Sequence, residues 1–517
     1  MEALKPIQIR SHSHVQSRLG TLAILVIYAA VIVSTNHLFT FLDDEAMSVA
    51  LAGNPVIPAV ERFFAGSGLH EEHPPMANIL SHLWLIATDY SFFSLRIFAN
   101  IFYVAAMLVN ALSAEKIGGR RAYWAILVLS SVWPFAFQYG RITGWYALSM
   151  FLVSLVTWTY LRILDTQGYR PWIAFGAAGV LLVWSNYFGF VILFVLLADF
   201  LIFHRDLAVS HVRPLLIVMA LIALAFFPLL RVALQDLVGA LPIESRMDWK
   251  NEIVGAGFPA FAIFGSVAVA PWYLPLSGPL FVAIVLLLVC AWFSPGRRWF
   301  VYFILAMLVL DVSGQLDVKR VLFLMPWLFL AIALAAGAST SRHPRLAFSA
   351  LAIILVCGWV GIVSGRHYAT ANLYEPWEKV AEVVAQDARH GATIISENPS
   401  FFFYLDYQLR LQSDTGEAPG TYLGEPVYQS HGYRILWPDP SQRPQDLHGK
   451  VVLVTGTASQ DDLELENALN DKLRARCSTL GQYRAAPDPA AVFKQRFSKI
   501  APVLAYRTEV VWYDCPL

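Results

Sequence analysis

The chain has 517 residues, 57% of them hydrophobic and 14% charged, with no formal net charge and a mean hydropathy of +0.54. Soluble domains carry about 25% charged residues, so a water-soluble globule is excluded for most of this length. The balanced charge supplies no basic surface, and nucleic acid is not an expected partner.

The charge deficit is uneven along the chain. Residues 1–18 are polar, and with Lys5, Arg10 and Arg18 they read as a cytoplasmic N-terminus. Residues 19–365 hold run after run of roughly 17–22 apolar residues, each long enough to cross a bilayer. Spans are expected near 19–36, 93–113, 122–138, 142–161, 171–186, 187–203, 214–233, 279–294, 298–312, 321–338 and 346–364. The first is too long for a cleavable leader, lacks a small-residue cleavage site and is followed by further spans. The apolar stretch 257–276 is interrupted by Pro259, Pro271 and Pro275. It is expected as a re-entrant or interfacial segment within a second outer loop, 234–277.

Basic residues test this count, because cytoplasmic loops are rich in Lys and Arg. With the N-terminus inside, the inner loops hold Lys116/Arg120/Arg121, Arg162/Arg170, Arg205/Arg213, Arg297/Arg298 and Arg342/Arg345. A crossing at 257–276 would move the last two pairs outside. About eleven spans therefore fit best, with the first loop 37–92, the second loop and the tail 366–517 on the outer face. His204 and His211 fall on the inner side, away from the outer loops.

The tail reads as a small α/β domain. Thr393–Ser396 and Val451–Val454 look like buried strands, 375–390 and 461–475 like amphipathic helices, and 503–513 like a final strand. Val454-Thr-Gly-Thr lacks the spacing and the Lys of a phosphate loop. Cys290 and Cys357 sit in apolar spans. Cys477 and Cys515 can pair if the tail lies outside the cytoplasm.

The first outer loop is the most informative segment. It holds seven carboxylates (Asp43, Asp44, Glu45, Glu61, Glu71, Glu72 and Asp89) against a single Arg62. Adjacent carboxylates at a membrane boundary raise one another's pKa, so one of Asp43, Asp44 and Glu45 can serve as a base near neutral pH. The same oxygens, or Glu72 with His73, are candidate ligands for a divalent cation. In Glu72-His73-Pro74-Pro75 the prolines fix the backbone and hold Glu72 and His73 extended at the start of a helix.

Taken together, these clusters resemble the GT-C membrane glycosyltransferases, in particular the protein O-mannosyltransferase and aminoarabinose transferase type. That family carries Asp-Glu after the first span and Glu-x-Pro-Pro ending the first loop. Gly140-Arg141-Ile142-Thr143-Gly144-Trp145-Tyr146-Ala147-Leu148 resembles its Arg-x-x-Arg-x-Tyr-Ala-Leu segment. Trp184-Ser185-Asn186-Tyr187-Phe188-Gly189 resembles its Thr-His-Tyr-Phe-Gly segment, and Lys319-Arg320-Val321 before Pro326 its late Arg-Tyr. The resemblance covers roughly residues 19–340.

The resemblance implies an α-helical polytopic membrane enzyme that moves a sugar from a polyprenyl-phosphate donor to an acceptor hydroxyl, with inversion, outside the cytoplasm. Asp44 matches the general base, or Asp43 if the motif aligns one place earlier, with Glu45 positioning it or the acceptor. Arg320, Lys319 and Arg141 are expected at the departing phosphate. Tyr146, Asn186, Tyr187, Trp272 and Tyr273 are expected to line the substrate groove. Asn186 stands where the family often has His, and Gly144 stands for its second Arg. The acceptor is a lipid, a glycan or a protein, and the setting a bacterial inner membrane. A transporter or flippase of lipid-linked sugar is the competing reading. It calls for an inverted repeat and mid-span charges, and the sequence shows neither.

Overall fold

The computed structural model describes residues 11–36, 45, 48, 52, 56–65, 74–88, 92–134, 139–166, 168–239, 274–312, 321–338, 341–364, 377–396, 401, 405, 427–430, 433–436, 447–456, 460–485 and 508–516. Each of the eleven expected apolar runs falls on a helix: α1 (Ser11–Thr35), α4 (Phe92–Gly118), α5 (Arg120–Val132), α6 (Trp145–Asp165), α7 (Tyr169–Ser185), α8 (Gly189–Phe203), α10 (Val212–Gly239), α11 (Leu274–Trp292), α12 (Arg297–Val312), α13 (Met325–Gly337) and α14 (Pro344–Ser364). Helices are the form an apolar run takes in lipid, because each satisfies its own backbone polar groups.

By length and composition, Ser94–Gly118, Trp145–Asp165 and Val212–Leu234 can each cross a membrane alone. Gly278–Trp292 and Arg297–Val312 form a pair bent by 120°. Leu19–Thr35, Gly189–Phe203, Leu322–Gly337 and Pro344–Val360 are shorter apolar helices.

The core runs along α13, which is apolar on every side and buried from Met325 to Ala335. A helix without a polar face belongs inside a bundle. Neighbours grip it through polar atoms: Asn110 Nδ2 donates to the Pro326 carbonyl at 3.0 Å, and Trp327 Nε1 donates to Thr157 Oγ1 at 2.9 Å. At the bend between α11 and α12, a Cβ on Gly296 would lie 2.4 Å from the Ala331 carbonyl oxygen, so only glycine lets the chain pass. The outer faces of α10, α11 and α14 expose Leu216, Phe227, Phe281 and Phe348, as lipid-facing surfaces do.

Several boundaries differ from the sequence expectation. The expected span 142–161 begins as a helix only at Trp145, because Gly144 has φ +138°. The expected span 122–138 ends at Val132, after which Trp133 is extended. Toward the second loop, α10 continues to Gly239, past the expected boundary at 234. The first loop also contains α3 (Met76–Ala87) and a helix not anticipated, α2 (Val56–Ala65), and α9 (Arg205–Ser210) joins α8 to α10. As the Pro-Pro pair predicts, α3 starts directly after Pro75.

The tail holds α15 (Trp377–Arg389), β1 (Thr393–Ser396), β2 (Val427–Ser430), β3 (Tyr433–Leu436), β4 (Gly449–Gly456), α16 (Gln460–Arg476), β5 (Ser478–Arg484) and β6 (Thr508–Cys515). The sheet order is β2-β3-β1-β4-β6-β5, with β1 parallel to β3 and β4 and the other pairs antiparallel. Cys477 and Cys515 form a disulfide. One apolar cluster joins Val380, Val384 and Ala388 of α15 and Val452 of β4 to Ala52 and Leu85 of the first loop and Leu95 of α4. The tail is thus seated on the first loop.

Candidate active site

The described part of the acidic loop closes over a buried polar network. Glu45 is completely buried, and Arg96, near the start of α4, grips it with two bonds: Nε donates to Oε1 at 2.9 Å and Nη2 to Oε2 at 2.7 Å. A carboxylate and a guanidinium match in this fork geometry, and both ions are taken out of water only because each satisfies the other. The Thr143 backbone N–H adds a third bond to Glu45 Oε1 at 3.1 Å, and Arg96 Nη1 donates to the Asn36 carbonyl at 2.7 Å. The Glu45–Arg96 pair therefore ties together the end of α1, the start of α4 and the turn before α6.

Arg141 lies beside this pair and is 1% exposed. Its Nη1 donates to Thr35 Oγ1 at 2.9 Å. Burial pulls its pKa down to about 9, with Tyr28 and Glu45 opposing the fall and Arg96 adding to it. Arg141 thus stays cationic at neutral pH. The side-chain amide of Asn36 and the Thr143 hydroxyl are buried with no hydrogen-bond partner among the described residues. Burying such groups unpaired costs free energy, and both sit next to the start or the anchor of the loop that holds Asp43 and Asp44.

Other described residues of the first loop pack at the same end of the bundle. The His82 Nδ1–H on α3 donates to the Ala52 carbonyl at 2.7 Å. Trp84 Nε1 donates to the Ser94 carbonyl at 3.0 Å, and its ring stacks on Phe98 at 4.9 Å.

Residues 72–231 match the model of the dolichyl-phosphate-mannose-protein mannosyltransferase family. The whole chain is similar in structure to ArnT from Cupriavidus metallidurans bound to undecaprenyl phosphate. The TM-score is 0.53 at 12% identity, over 95% of this chain and 98% of that one. The apo state of the same protein gives a TM-score of 0.50 at 12% identity, over 96% and 98%. No curated protein matches the chain in sequence. The fold is that of a GT-C membrane glycosyltransferase.

Within this fold, several residues expected at the site can be placed. Tyr146 is buried in an aromatic cluster, 4.5 Å from Trp145 and 5.5 Å from Tyr139 between ring centroids. Asn186 is fully buried and ends α7, and its Oδ1 accepts from the Phe188 N–H at 2.9 Å. With that oxygen committed to the turn, Asn186 is a poor metal ligand. Tyr187 packs against a small cluster of Leu229 and Val232 on α10, which Phe64 of α2 also covers. Among the described residues no three His, Cys, Asp or Glu side chains converge as a metal cage. Asp43, Asp44, Glu72, His73, Lys319, Arg320, Trp272 and Tyr273 lie outside the described residues.

The second departure from the family pattern has a local cause. At φ +138° Gly144 occupies backbone space that side chains rarely enter, and a Cβ there would lie 3.0 Å from Ser48 Oγ of the first loop. An arginine cannot take this place without moving the loop. The cation that sequence reasoning missed is Arg96. Its signal was present, because a lone charge inside an apolar run marks a functional position by default.

Proposed function

We propose that this chain transfers a sugar from a polyprenyl-phosphate donor to an acceptor hydroxyl at the outer face of the membrane, with inversion. The observation that carries the reading is the anchoring of Glu45. Its carboxylate is fixed by three hydrogen bonds, and Asp44 precedes it by one peptide, about 3.8 Å between Cα atoms.

In this mechanism the Asp44 carboxylate takes the acceptor's proton as the acceptor oxygen bonds to the anomeric carbon. Asp43 takes this role if the motif aligns one place earlier. The bond from that carbon to the phosphate oxygen breaks, and its electron pair leaves on the polyprenyl phosphate. A positioned base contributes roughly 10²–10⁴-fold. The developing phosphate charge calls for cations. Arg320 and Lys319 are assigned to it, with Arg141 adding a buried positive field. ArnT, with which this chain shares its fold, is described bound to undecaprenyl phosphate, and that supports a polyprenyl-phosphate donor here.

The tail is assigned to the outer, periplasmic side of a bacterial inner membrane. Its disulfide supports this, since such bonds persist in oxidising compartments, as does the basic character of the opposite loops.

The test is a transfer assay with purified protein and a panel of polyprenyl-phosphate hexoses and pentoses, reading released polyprenyl phosphate and glycosylated acceptor together. Stoichiometric release with one donor supports the proposal. Movement of the donor across liposomes without cleavage would favour the flippase reading and overturn it.

A further inference from the structure

The end of α1 receives one hydrogen bond from each of two buried arginines of the candidate site. Arg141 Nη1 donates to Thr35 Oγ1 at 2.9 Å, and Arg96 Nη1 donates to the Asn36 carbonyl at 2.7 Å. The last turn of a helix carries partial negative charge on its unsatisfied carbonyls, so it is a favourable seat for cations.

The two arginines are held differently. Arg96 is locked by the Glu45 fork, in which Oε1 accepts from Nε and Oε2 from Nη2, and a fork leaves a guanidinium one orientation. Arg141 is met by a hydroxyl on α1. That hydroxyl is itself oriented: Thr35 Oγ1 lies 2.6 Å from the Val31 carbonyl and 3.3 Å from that of Ile32, one turn back on the helix. A hydroxyl has one proton and two lone pairs, and a guanidinium only donates. With its proton given to Val31, Thr35 faces Arg141 purely as an acceptor, and the bond has a single possible polarity. A helix thereby sets the direction of a guanidinium that is 1% exposed.

We propose that Thr35 is a positioning residue for the donor phosphate: through its hydroxyl it aims the Arg141 guanidinium at the lipid-phosphate group. The inference rests on the role given above to Arg141 beside that phosphate and adds the residue that directs it. It also carries a consequence for pH. Burial draws the Arg141 pKa down to about 9, and the charged or titratable groups acting on it are Tyr28 of α1, Arg96 of α4 and Glu45 of the first loop. An acceptor bonded to the charged form favours that form. Removing the Thr35 hydroxyl therefore lowers the Arg141 pKa further, and the cation is lost at a lower pH.

The test compares purified full-length wild type, Thr35→Val and Thr35→Ser from neutral to alkaline pH. Equilibrium binding of undecaprenyl phosphate in detergent and kcat/KM for sugar transfer are read together, since kcat/KM reports the free protein. Wild type should lose binding on a basic limb near pH 9. Thr35→Val, of the same shape without the hydroxyl, should bind about ten-fold more weakly at neutral pH, as loss of a hydrogen bond to a charged group does. Its basic limb should move about one pH unit lower, the equivalent of that factor. Thr35→Ser keeps the hydroxyl and should recover most of both effects. A purely structural role would lower the unfolding temperature and leave the limb where it is. A limb at the same pH in all three proteins, or Val and Ser variants weakened alike, would overturn the proposal. If Thr35→Val fails to fold, Thr35→Ala against Thr35→Ser supplies the same two readouts. Lipid-phosphate binding that follows this pattern without sugar transfer keeps the present inference and sinks the functional one. Sugar transfer with an unmoved limb does the reverse, and a wild type that binds no polyprenyl phosphate overturns both.

Discussion

Removing the Arg96 side chain strips at least three hydrogen bonds from a buried junction, two to Glu45 and one to the Asn36 carbonyl. It leaves a carboxylate with no exposed surface and, among the described residues, a single partner, the Thr143 N–H. Breaking one side of such a pair costs about 3–5 kcal/mol, because the remaining charge stays desolvated. Arg96→Ala should therefore lower the unfolding free energy by about 4 kcal/mol. Arg96→Lys, which keeps the charge but loses the fork, should cost about half of that. Glu45→Gln should cost nearly as much as Arg96→Ala, since it strands the guanidinium instead. In the double variant Glu45→Gln/Arg96→Ala neither ion remains, and the losses should not add: a coupling of at least about 2 kcal/mol is expected. Reversible unfolding of the purified protein in detergent, followed by intrinsic tryptophan fluorescence, measures all four variants. If Glu45 also positions its neighbours for catalysis, the double variant stays slow despite its recovered stability. Its kcat should fall about 100-fold, as for a misplacement of about 1 Å, with KM little changed. Additive stability losses, or a double variant with full kcat, would refute the reasoning.

Three further outcomes are expected. Replacing Cys477 with Ser opens a 38-residue loop and should destabilise the tail by about 4 kcal/mol on chain-entropy grounds, read as an earlier tail transition in limited proteolysis; an unchanged cleavage profile would count against it. Gly144→Ala should cost about 1–3 kcal/mol, and because the backbone at φ +138° is the main cause, adding Ser48→Gly should recover only a minor part in the same unfolding assay. Arg298→Ala leaves Asp199, 3% exposed, with only its neutral partners Tyr160 and Tyr302 and the nearby His204 among the described residues. A loss of about 3 kcal/mol is expected by thermal unfolding, and Asp199→Asn on that background should restore part of it.

How far the sequence speaks differs between bundle, tail and site. Hydrophobic length located the eleven apolar helices expected of the bundle, because lipid leaves an apolar run few other options, but it passed over the short apolar helix α3. It failed at two ends, where single residues decide: Gly144 delays α6 and the extended Trp133 ends α5 early, whereas the expected break between 186 and 187 falls on the capping Asn186. In the tail, β1 and β4 were legible as runs of buried β-branched residues, and β6 was placed a few residues early. The hairpin β2–β3 and the edge strand β5 were missed, since Val427-Tyr-Gln-Ser and Ser478-Thr-Leu-Gly carry too little apolar alternation. At the site, the acidic loop stood out by composition alone. The pairing of Glu45 with Arg96 did not, because the two are 51 residues apart and no local pattern links a loop carboxylate to a guanidinium on the next long helix.

The central claim is that a carboxylate beside the anchored Glu45 deprotonates the acceptor. The most direct test is the transfer rate of Asp44→Asn against wild type and Asp43→Asn, with donor binding measured in parallel. The account predicts that transfer falls by about 10²-fold or more in Asp44→Asn while the donor Kd stays within about two-fold. If the motif aligns one place earlier, the loss moves to Asp43→Asn. Full transfer in both variants would contradict the account.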